Sequence, residues 1–327
     1  MDFSLSADQQ DLDALVREFG ARRFPLERLG ALDGVGVDRA GWREVADLGV
    51  FALRVPEVAG GTGLGWVETV VAVEALGFHL VPGPVLWSAL LAEWIPGVAD
   101  GTVVVTGVEC TDDPVLLVEH PELADRVAIL DDDGLVLLDV ADAVDASAAP
   151  LEPFDPLTPV ARLVADPGVG PRVLGPDAVP GLRRAGALLA AAQLVGLADR
   201  AVDAARSYAM EREQFDRPIA AFQAVQHLVA DMYVRSMLAR SATLAAAAVL
   251  DDPAVGDPDA AVRAAKVVAG EAALANARTC VQVHGGMGFT WEMVPHFLLK
   301  RARVLELAFG TGAEHAEWIG TEIGSRV

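Results

Sequence analysis

The hydrophobic positions in the first part of the chain recur at helical spacing. A polar stretch, residues 4–8, offers N-caps before apolar side chains that lie three or four residues apart: Leu12, Leu15, Val16 and Phe19. A second helix is expected to begin near Asp38. Residues 55–65 (VPEVAGGTGLG) are predicted to be a loop because Pro and Gly interrupt them, and residues 66–78 return to a helical pattern.

The hydrophobic pattern changes between about residues 101 and 172. Short β-branched runs such as RVAIL and GLVLLDV are separated by Asp-Asp or Asp-Gly turns, which predicts a small β segment. Within it, the acidic run from Asp131 to Gly134 superficially resembles a metal loop. No further ligands follow at the spacing of a calcium loop, so a hairpin turn is favoured and no metal site is predicted.

Three long alanine-rich stretches, residues 182–212, 222–250 and 258–284, dominate the rest of the chain. Helices of this length, joined by short Pro/Asp/Gly connectors, predict a helical bundle. The sequence therefore predicts a mainly α protein with a small β insert. We expect three domains: an N-terminal helical domain (1–98), a reduced central β domain (99–180) and a C-terminal helical bundle (181–327).

Composition and charge exclude several classes of partner. Hydrophobic residues make up 53% of the 327 residues, and the formal net charge is -22. Such a charge repels polyanions, so neither nucleic acid nor an anionic membrane is an expected partner. The acidic start from Met1 to Phe19 has the pattern of neither a signal peptide nor a membrane span. Cys110 and Cys280 lack metal-binding spacing, and we expect two buried reduced thiols in a cytoplasmic protein.

Two clusters at predicted helix ends carry candidate chemistry. Arg212 opens the segment REQFDRPI, and its guanidinium could hold two oxygens of a pyrophosphate, although an arginine at a helix end more often interacts with the helix dipole. Gly285 and Gly286 lie in QVHGGMGF, after another long helix. Without Cβ atoms they allow positive φ and the close approach of a ligand, but they could equally form an ordinary glycine C-cap.

Together, at this spacing, the clusters resemble a known family. REQFDRPIAAFQAVQHLVADM and QVHGGMGFTWEMVPHFLLKRA are similar to the two C-terminal signatures of the flavin-dependent acyl-CoA dehydrogenases, and VPEVAGGTGLGWVETVVAVEALG resembles their N-terminal loop and helix. The resemblance covers residues 1–98 and 182–327. It implies an N-terminal helical domain, a central β domain and a C-terminal four-helix bundle, with FAD at a subunit interface.

The resemblance also implies a set of cofactor-binding residues that reach the FAD of a neighbouring subunit. Carried over to this sequence, these residues are Arg212, Gln214, Phe215, Gln223, Gln282, Gly285 and Gly286. Thr311, in the last Gly-Thr turn, resembles a further nucleotide contact. The residue after Phe215 is usually glycine in the family but is Asp216 here, which departs from the close backbone packing expected at that turn.

The largest departure concerns the catalytic base. The family removes the α proton of an acyl-CoA with a carboxylate while the β hydrogen leaves as hydride to the flavin. That glutamate usually precedes the Gly-Thr turn, where Phe309 stands here, and in a minority it lies early in the first bundle helix, where Gly186 stands. Neither residue can accept a proton, so no catalytic residue is predicted. Glu306 is the best replacement base within the chain.

Glu314 and His315 follow the turn on the next predicted helix, and we interpret them as solvated or structural. The central segment between Ala99 and Pro180 also lacks the Thr-Glu-Pro and Gly-Ser-Asp strings that meet the flavin ring in the family. This asymmetry resembles the non-catalytic subunit of heterotetrameric α2β2 acyl-CoA dehydrogenases associated with steroid side-chain degradation. We therefore expect FAD, an acyl-CoA substrate and a catalytic partner subunit; the alternatives are a self-sufficient homomeric flavoenzyme and a flavin-free structural or binding protein.

Overall fold

The computed structural model describes residues 5–25, 36–110, 116–164 and 170–325. Contacts between Cα atoms group the chain into two compact units. The first contains the described residues of Met1–Ala31, Trp66–Val81 and Ala187–Val327, and the second those of Leu32–Gly65 and Pro82–Gly186. The division into three domains at residues 98 and 180 stays a prediction.

The first unit is helical. Its helices are α1 (Ala7–Arg23), α3 (Trp66–Phe78), α7 (Gln223–Asp251), α8 (Pro258–His284), α9 (Pro295–Leu307), α10 (Gly312–Ser325) and most of α6 (Val179–Glu211). The long helices follow the predicted alanine-rich stretches closely, which confirms the mainly α fold. Ser6 is the N-cap of α1, where its side chain and that of Gln9 form a capping box, while Ser4 lies outside the described residues.

Helices α3 and α6 cross at very short range inside this unit. A Cβ atom on Gly77 would lie 2.7 Å from the carbonyl oxygen of Gln193, and one on Gly196 would lie 2.1 Å from that of Glu74. Both glycines are therefore needed for the two backbones to approach.

Although α6 with its preceding turn is long and apolar enough to cross a membrane, 89% of its most apolar 18-residue window is buried inside the protein, as expected for a core helix.

The second unit contains the sheet. Its elements are α2 (Arg39–Ala46), α4 (Val85–Leu91), β1 (Val105–Glu109), β2 (Leu117–Glu119), β3 (Arg126–Asp131), β4 (Gly134–Asp139), α5 (Val140–Ala143), β5 (Val160–Arg162) and β6 (Arg172–Leu174). Four strands pair in the order β1-β3-β4-β6, with β1 and β3 parallel, and β2 pairs with β5. The predicted β insert and the second helix, capped by Asp38, are confirmed.

The acidic run in this unit is a hairpin turn. Strands β3 and β4 are antiparallel with Asp131 opposite Gly134. The side chain of Asp131 accepts hydrogen bonds from the backbone N–H groups of Asp133 and Gly134, both at 2.9 Å. The carboxylate thus serves the turn itself.

Cys110, at the end of β1, is only partly buried, which corrects the expectation of two buried thiols, whereas Cys280 on α8 is buried.

Candidate functional site

Helix α6 ends in a tight hairpin that carries the first cluster. Strands β7 (Glu213–Gln214) and β8 (Arg217–Pro218) pair across a two-residue turn, Phe215 and Asp216, whose φ angles are 55° and 61°. Two consecutive positive φ values are the pattern of a type I′ turn, which Asp tolerates better than most side chains. The aspartate that replaces the expected glycine is therefore accommodated in a left-handed conformation.

The hairpin directs the predicted binding residues outward. Arg212 and Gln214 are exposed, and 85% of the surface of Phe215 is open to solvent. The ring of Phe215 meets that of Phe222 edge to face, with centroids 6.1 Å apart. The guanidinium of Arg217 lies over the ring of Phe222. A cation, an amide and an aromatic face are thus presented together at the end of α6.

The second cluster lies where α8 ends. Gly285 is the C-cap, with φ 61° and ψ -137°, a conformation that glycine alone adopts readily. A Cβ atom on either Gly285 or Gly286 would meet no atom within 4 Å, so a ligand could approach this backbone. Gln282 is exposed in the last turn of the helix.

A ring stack brings the two helix ends together. The rings of Tyr208 on α6 and His284 on α8 are 4.1 Å apart and 21° from parallel. Arg212 donates its backbone N–H to the carbonyl oxygen of Tyr208, and His284 directly precedes Gly285. The structure therefore unites seven predicted residues at one end of the bundle, which we call the open cluster: Arg212, Gln214, Phe215, Gln223, Gln282, Gly285 and Gly286.

Thr311 belongs to a different place, the connection between α9 and α10. We call residues 306–312 the closed turn. Phe309 and Gly310 both have positive φ, 54° and 91°. The ammonium group of Lys266, on α8, donates to the carbonyl oxygens of Glu306, Ala308 and Gly310 at 2.9, 2.8 and 2.7 Å. Lys266 itself is 1% exposed.

Two carboxylates accept hydrogen bonds from the backbone N–H groups at the end of the closed turn. Glu306 accepts from the backbone N–H of Gly312 at 3.0 Å with one oxygen and from Arg303 at 3.0 Å with the other. Glu314 accepts from both the backbone N–H and the hydroxyl of Thr311, at 2.7 and 2.9 Å. Because the N–H groups at the start of a helix lack partners within it, these carboxylates cap α10. Glu306 is therefore engaged as a cap rather than poised as a base.

His315 completes the closed turn. Its Nε2 lies 2.9 Å from the carbonyl oxygen of Phe309, and its Nδ1 lies 3.3 Å from the guanidinium of Arg263. Since a carbonyl can only accept and a guanidinium can only donate, Nε2 carries the proton of a neutral imidazole. Burial, followed by the nearby charge of Lys266, lowers the pKa of His315 to about 4. The interpretation of Glu314 and His315 as structural residues agrees with these bonds.

The two positions that the resemblance assigns to the family's base have no acid. Phe309 is 7% exposed, and Gly186 is buried within α6. Along α8, Lys266 precedes Gln282 by 16 residues, which at the rise of an α-helix is about 24 Å. The closed turn is therefore remote from the open cluster, and the structure does not bring Thr311 together with the other predicted cofactor contacts.

Two features of these sites were not predicted from the sequence. The stack of Tyr208 on His284 left no recognisable pattern. Lys266 did leave a signal, because it is the one charged residue of the run AAKVVAG in an otherwise apolar part of α8. Such a lysine must find acceptors when its helix packs. No group of three or more His, Cys, Asp or Glu side chains in the described ranges could hold a metal ion.

Comparison with known proteins agrees with this architecture. The family models described as "Acyl-CoA dehydrogenase, N-terminal domain" and "Acyl-CoA dehydrogenase, C-terminal domain" match residues 6–101 and 184–324. The chain is 34% identical over 282 residues to acyl-CoA dehydrogenase IpdE2 of Mycobacterium tuberculosis, a match that covers 82% of this chain and 81% of that protein.

Solved structures extend the likeness to the whole chain. A chain of the ChsE4-ChsE5 complex from Mycobacterium tuberculosis superimposes with a TM-score of 0.84 and 27% identity, covering 99% of both chains. A chain of the Tcur3481-Tcur3483 steroid ACAD superimposes with a TM-score of 0.81 and 26% identity, covering 97% of this chain and 98% of that one.

Proposed function

Because this chain belongs to the acyl-CoA dehydrogenase family, we propose that it is a subunit of a FAD-dependent acyl-CoA dehydrogenase and completes the FAD site of a catalytic partner chain. The observation that carries the proposal is the contrast between two places in the first unit. The open cluster exposes donors and a glycine turn, whereas the closed turn buries Phe309 at the base position and uses both oxygens of Glu306 as bond acceptors.

The open cluster has the chemistry that a dinucleotide requires. The guanidinium of Arg212 would hold the pyrophosphate of FAD through charge-assisted bonds, and Gln214, Gln223 and Gln282 would donate amide N–H groups. Gly285 and Gly286 leave space for the ligand against the backbone. Bound FAD would supply the acceptor for the hydride that leaves the β carbon of the acyl-CoA. This chain holds no acid at the base positions, so the α proton is removed by the partner.

An exposed apolar face on α7 supports the proposal that this chain binds a partner chain. On α7, whose first residue Gln223 belongs to the open cluster, large hydrophobic side chains lie open to solvent: Tyr233, Val234, Met237 and Leu238 are 56%, 54%, 42% and 60% exposed. Contiguous apolar surface of this kind is typical of a protein interface. A net charge of -22 on each copy disfavours self-association, which favours a less acidic partner. One similar structure is a two-protein complex by its name, and another is called a steroid ACAD. These names support a complex of unlike chains that acts on a steroid, and we propose for it an α2β2 assembly and a steroid side chain as substrate.

The test is to produce the chain alone and together with acyl-CoA dehydrogenase chains encoded beside it. Flavin released on denaturation is measured against protein, and acyl-CoA dehydrogenation is followed with an artificial electron acceptor. We expect the chain alone to be poorly soluble or flavin-free, and the active complex to contain one FAD per pair of unlike chains. A yellow, active protein from this chain alone would establish a homomeric enzyme. Colourless protein in every mixture would establish a flavin-free function.

A further inference from the structure

A buried cation organises the closed turn. The last carbonyl groups of a helix have no partner within it, and α9 ends at Leu307. An ammonium group has three N–H donors, and Lys266 places them on three carbonyl oxygens, those of Glu306, Ala308 and Gly310. The carbonyl oxygen of Phe309, between them, accepts from His315. One side chain of α8 therefore bonds three of the backbone carbonyl oxygens of the closed turn.

The side chain at position 309 has no part in these bonds. Every bond made by the closed turn through Lys266 and His315 ends on a backbone carbonyl, and the N–H groups of Thr311 and Gly312 are bonded by Glu314 and Glu306. Phe309 is nevertheless held at φ 54°, a left-handed conformation that is unfavourable for a bulky residue. Since the turn keeps this conformation without a glycine at 309, its surroundings must impose it.

We propose that Lys266 is the positioning residue of the closed turn, fixing the backbone at the family's base position whatever side chain stands there. It touches neither a ligand nor a reacting atom. It acts through the carbonyl oxygens on both sides of Phe309, and through them on Thr311 and the start of α10. With phenylalanine at position 309, the backbone scaffold of the turn is therefore intact.

Amide hydrogen exchange on the full chain, in the soluble form in which it is purified, alone or with the partner chain, tests the proposal without any flavin. In Lys266→Met, which keeps the length of the side chain but not its charge, the amides of Thr311 and Gly312 should exchange faster by about tenfold or more. Phe309→Gly removes the side chain at 309 but keeps the bonds from Lys266 to the carbonyl oxygens, so both amides should stay protected. Full loss of protection in Phe309→Gly, or unchanged exchange in Lys266→Met, would overturn the proposal.

Asn276 supplies a matched control on the same helix. It is fully buried and makes three bonds, donating to the carbonyl oxygens of Ala198 and Met232 and accepting from Arg235. Asn276→Leu should lower the melting temperature as much as Lys266→Met does, yet leave exchange at Thr311 and Gly312 unchanged. Equal acceleration in the two variants would mean that Lys266 contributes only general stability, and the proposal would fail.

A third variant covers the case in which Lys266→Met does not fold. His315→Phe removes the bond to the carbonyl oxygen of Phe309 but leaves Lys266 in place, so the turn should remain largely protected. If His315→Phe exposes the turn fully, Lys266 is not what positions it. The proposal rests on the proposed function only in calling position 309 a base position, and its tests read the amides of this chain whether or not a partner is bound. A failure to bind FAD in the complex would thus overturn the proposed function and leave this inference standing.

Discussion

The open cluster and the closed turn are both places where the sequence predicts a contact with a nucleotide. Their polar groups differ in environment: those of the open cluster face solvent, whereas those of the closed turn are bonded within the chain. In the open cluster, Arg212, Gln214 and Gln282 are exposed, and a Cβ atom on Gly285 would meet nothing. In the closed turn, four carbonyl oxygens and two N–H groups are bonded by side chains of the same chain. Exposed donors mark a surface that a ligand or partner can complete, whereas backbone groups bonded within the chain mark structure.

The same comparison bears on position 309, which we propose to be the family's base position. A catalytic carboxylate must be poised and accessible to the reacting atom. A turn that is held by its backbone needs only a cation and caps beneath it. Lys266, Glu306 and His315 bond backbone atoms of the turn, so these bonds do not use the side chain at position 309.

The largest expected effect is the acid sensitivity of the closed turn. The pKa of His315 is lowered from 6.5 to about 4 because the imidazole is buried beside cations. The neutral form therefore stabilises the fold fully above pH 6.5, and this stability is lost as the pH falls through 4. Between these values the free energy of unfolding should fall by about 2 to 3 kcal/mol more than it does in His315→Gln. Urea denaturation across this pH range measures the difference.

Exposed His227, on α7, provides the control for this measurement. His227→Gln should follow the pH dependence of the unsubstituted chain. If His315→Gln and the unsubstituted chain have the same pH profile, the imidazole is not buried as a neutral group and the closed turn is less saturated than its bonds indicate.

The next effect sharpens the role of the open cluster. Arg212→Ala in the complex with the partner should weaken FAD binding by about 1.5 to 3 kcal/mol, tenfold or more, because a charge-assisted contact to the pyrophosphate is lost. Titration of the apo complex with FAD gives the dissociation constant. Arg206→Ala removes another exposed arginine of α6 and should change nothing. Equal effects of the two substitutions would show that only general charge matters.

A smaller effect separates structure from chemistry in the closed turn. Glu306→Gln should cost about 1 kcal/mol of stability, because the ion pair with Arg303 is lost and the cap on Gly312 is weakened. Turnover of the complex should stay nearly unchanged, and Phe309→Ala should likewise leave the chemical step nearly untouched, since a phenyl ring exchanges no proton. Steady-state kinetics and thermal melting of the complex measure both quantities.

One result would reverse the assignment of the two chains. If Glu306→Gln abolishes turnover while FAD remains bound, and Arg212→Ala has no effect on FAD, then this chain supplies the base itself. Glu314→Gln is a matched control, since Glu314 also caps the start of α10 but is exposed. It should reduce stability without altering turnover.

The smallest effect concerns the hairpin of the open cluster. Asp216→Gly should raise stability by about 0.5 kcal/mol, because φ is 61° there and glycine adopts this conformation without steric cost. The same substitution at Asp231, within α7, should lower stability by about 0.3 kcal/mol, because glycine is less favourable than aspartate inside a helix. Thermal melting of both variants gives the two signs. A loss of stability in Asp216→Gly would mean that the aspartate side chain stabilises the turn.

Much of the fold could be predicted from hydrophobic periodicity and turn residues. Helix α3 (Trp66–Phe78) and helix α8, which ends at His284, have the bounds expected from the sequence, because Pro and Gly residues end helices wherever they pack. The hairpin at Asp131 followed from its Asp-Gly turn. The grouping into two compact units was not predicted, because periodicity describes single elements and not which elements share a core.

For the site, the sequence by itself determined which residue types stand at the positions that the resemblance assigns to the site. These are an arginine and amides at the ends of α6 and α8, glycines at the C-cap, and no acid at 309 or 186. Only the tertiary structure decided how these residues are used. It joined the two helix ends through Tyr208 and His284, and it separated Thr311 from them by much of the length of α8. It also bonded Lys266 to the turn across 40 residues of sequence. Hydrogen bonds between residues so far apart depend on how helices pack, and a local pattern contains no record of that distance.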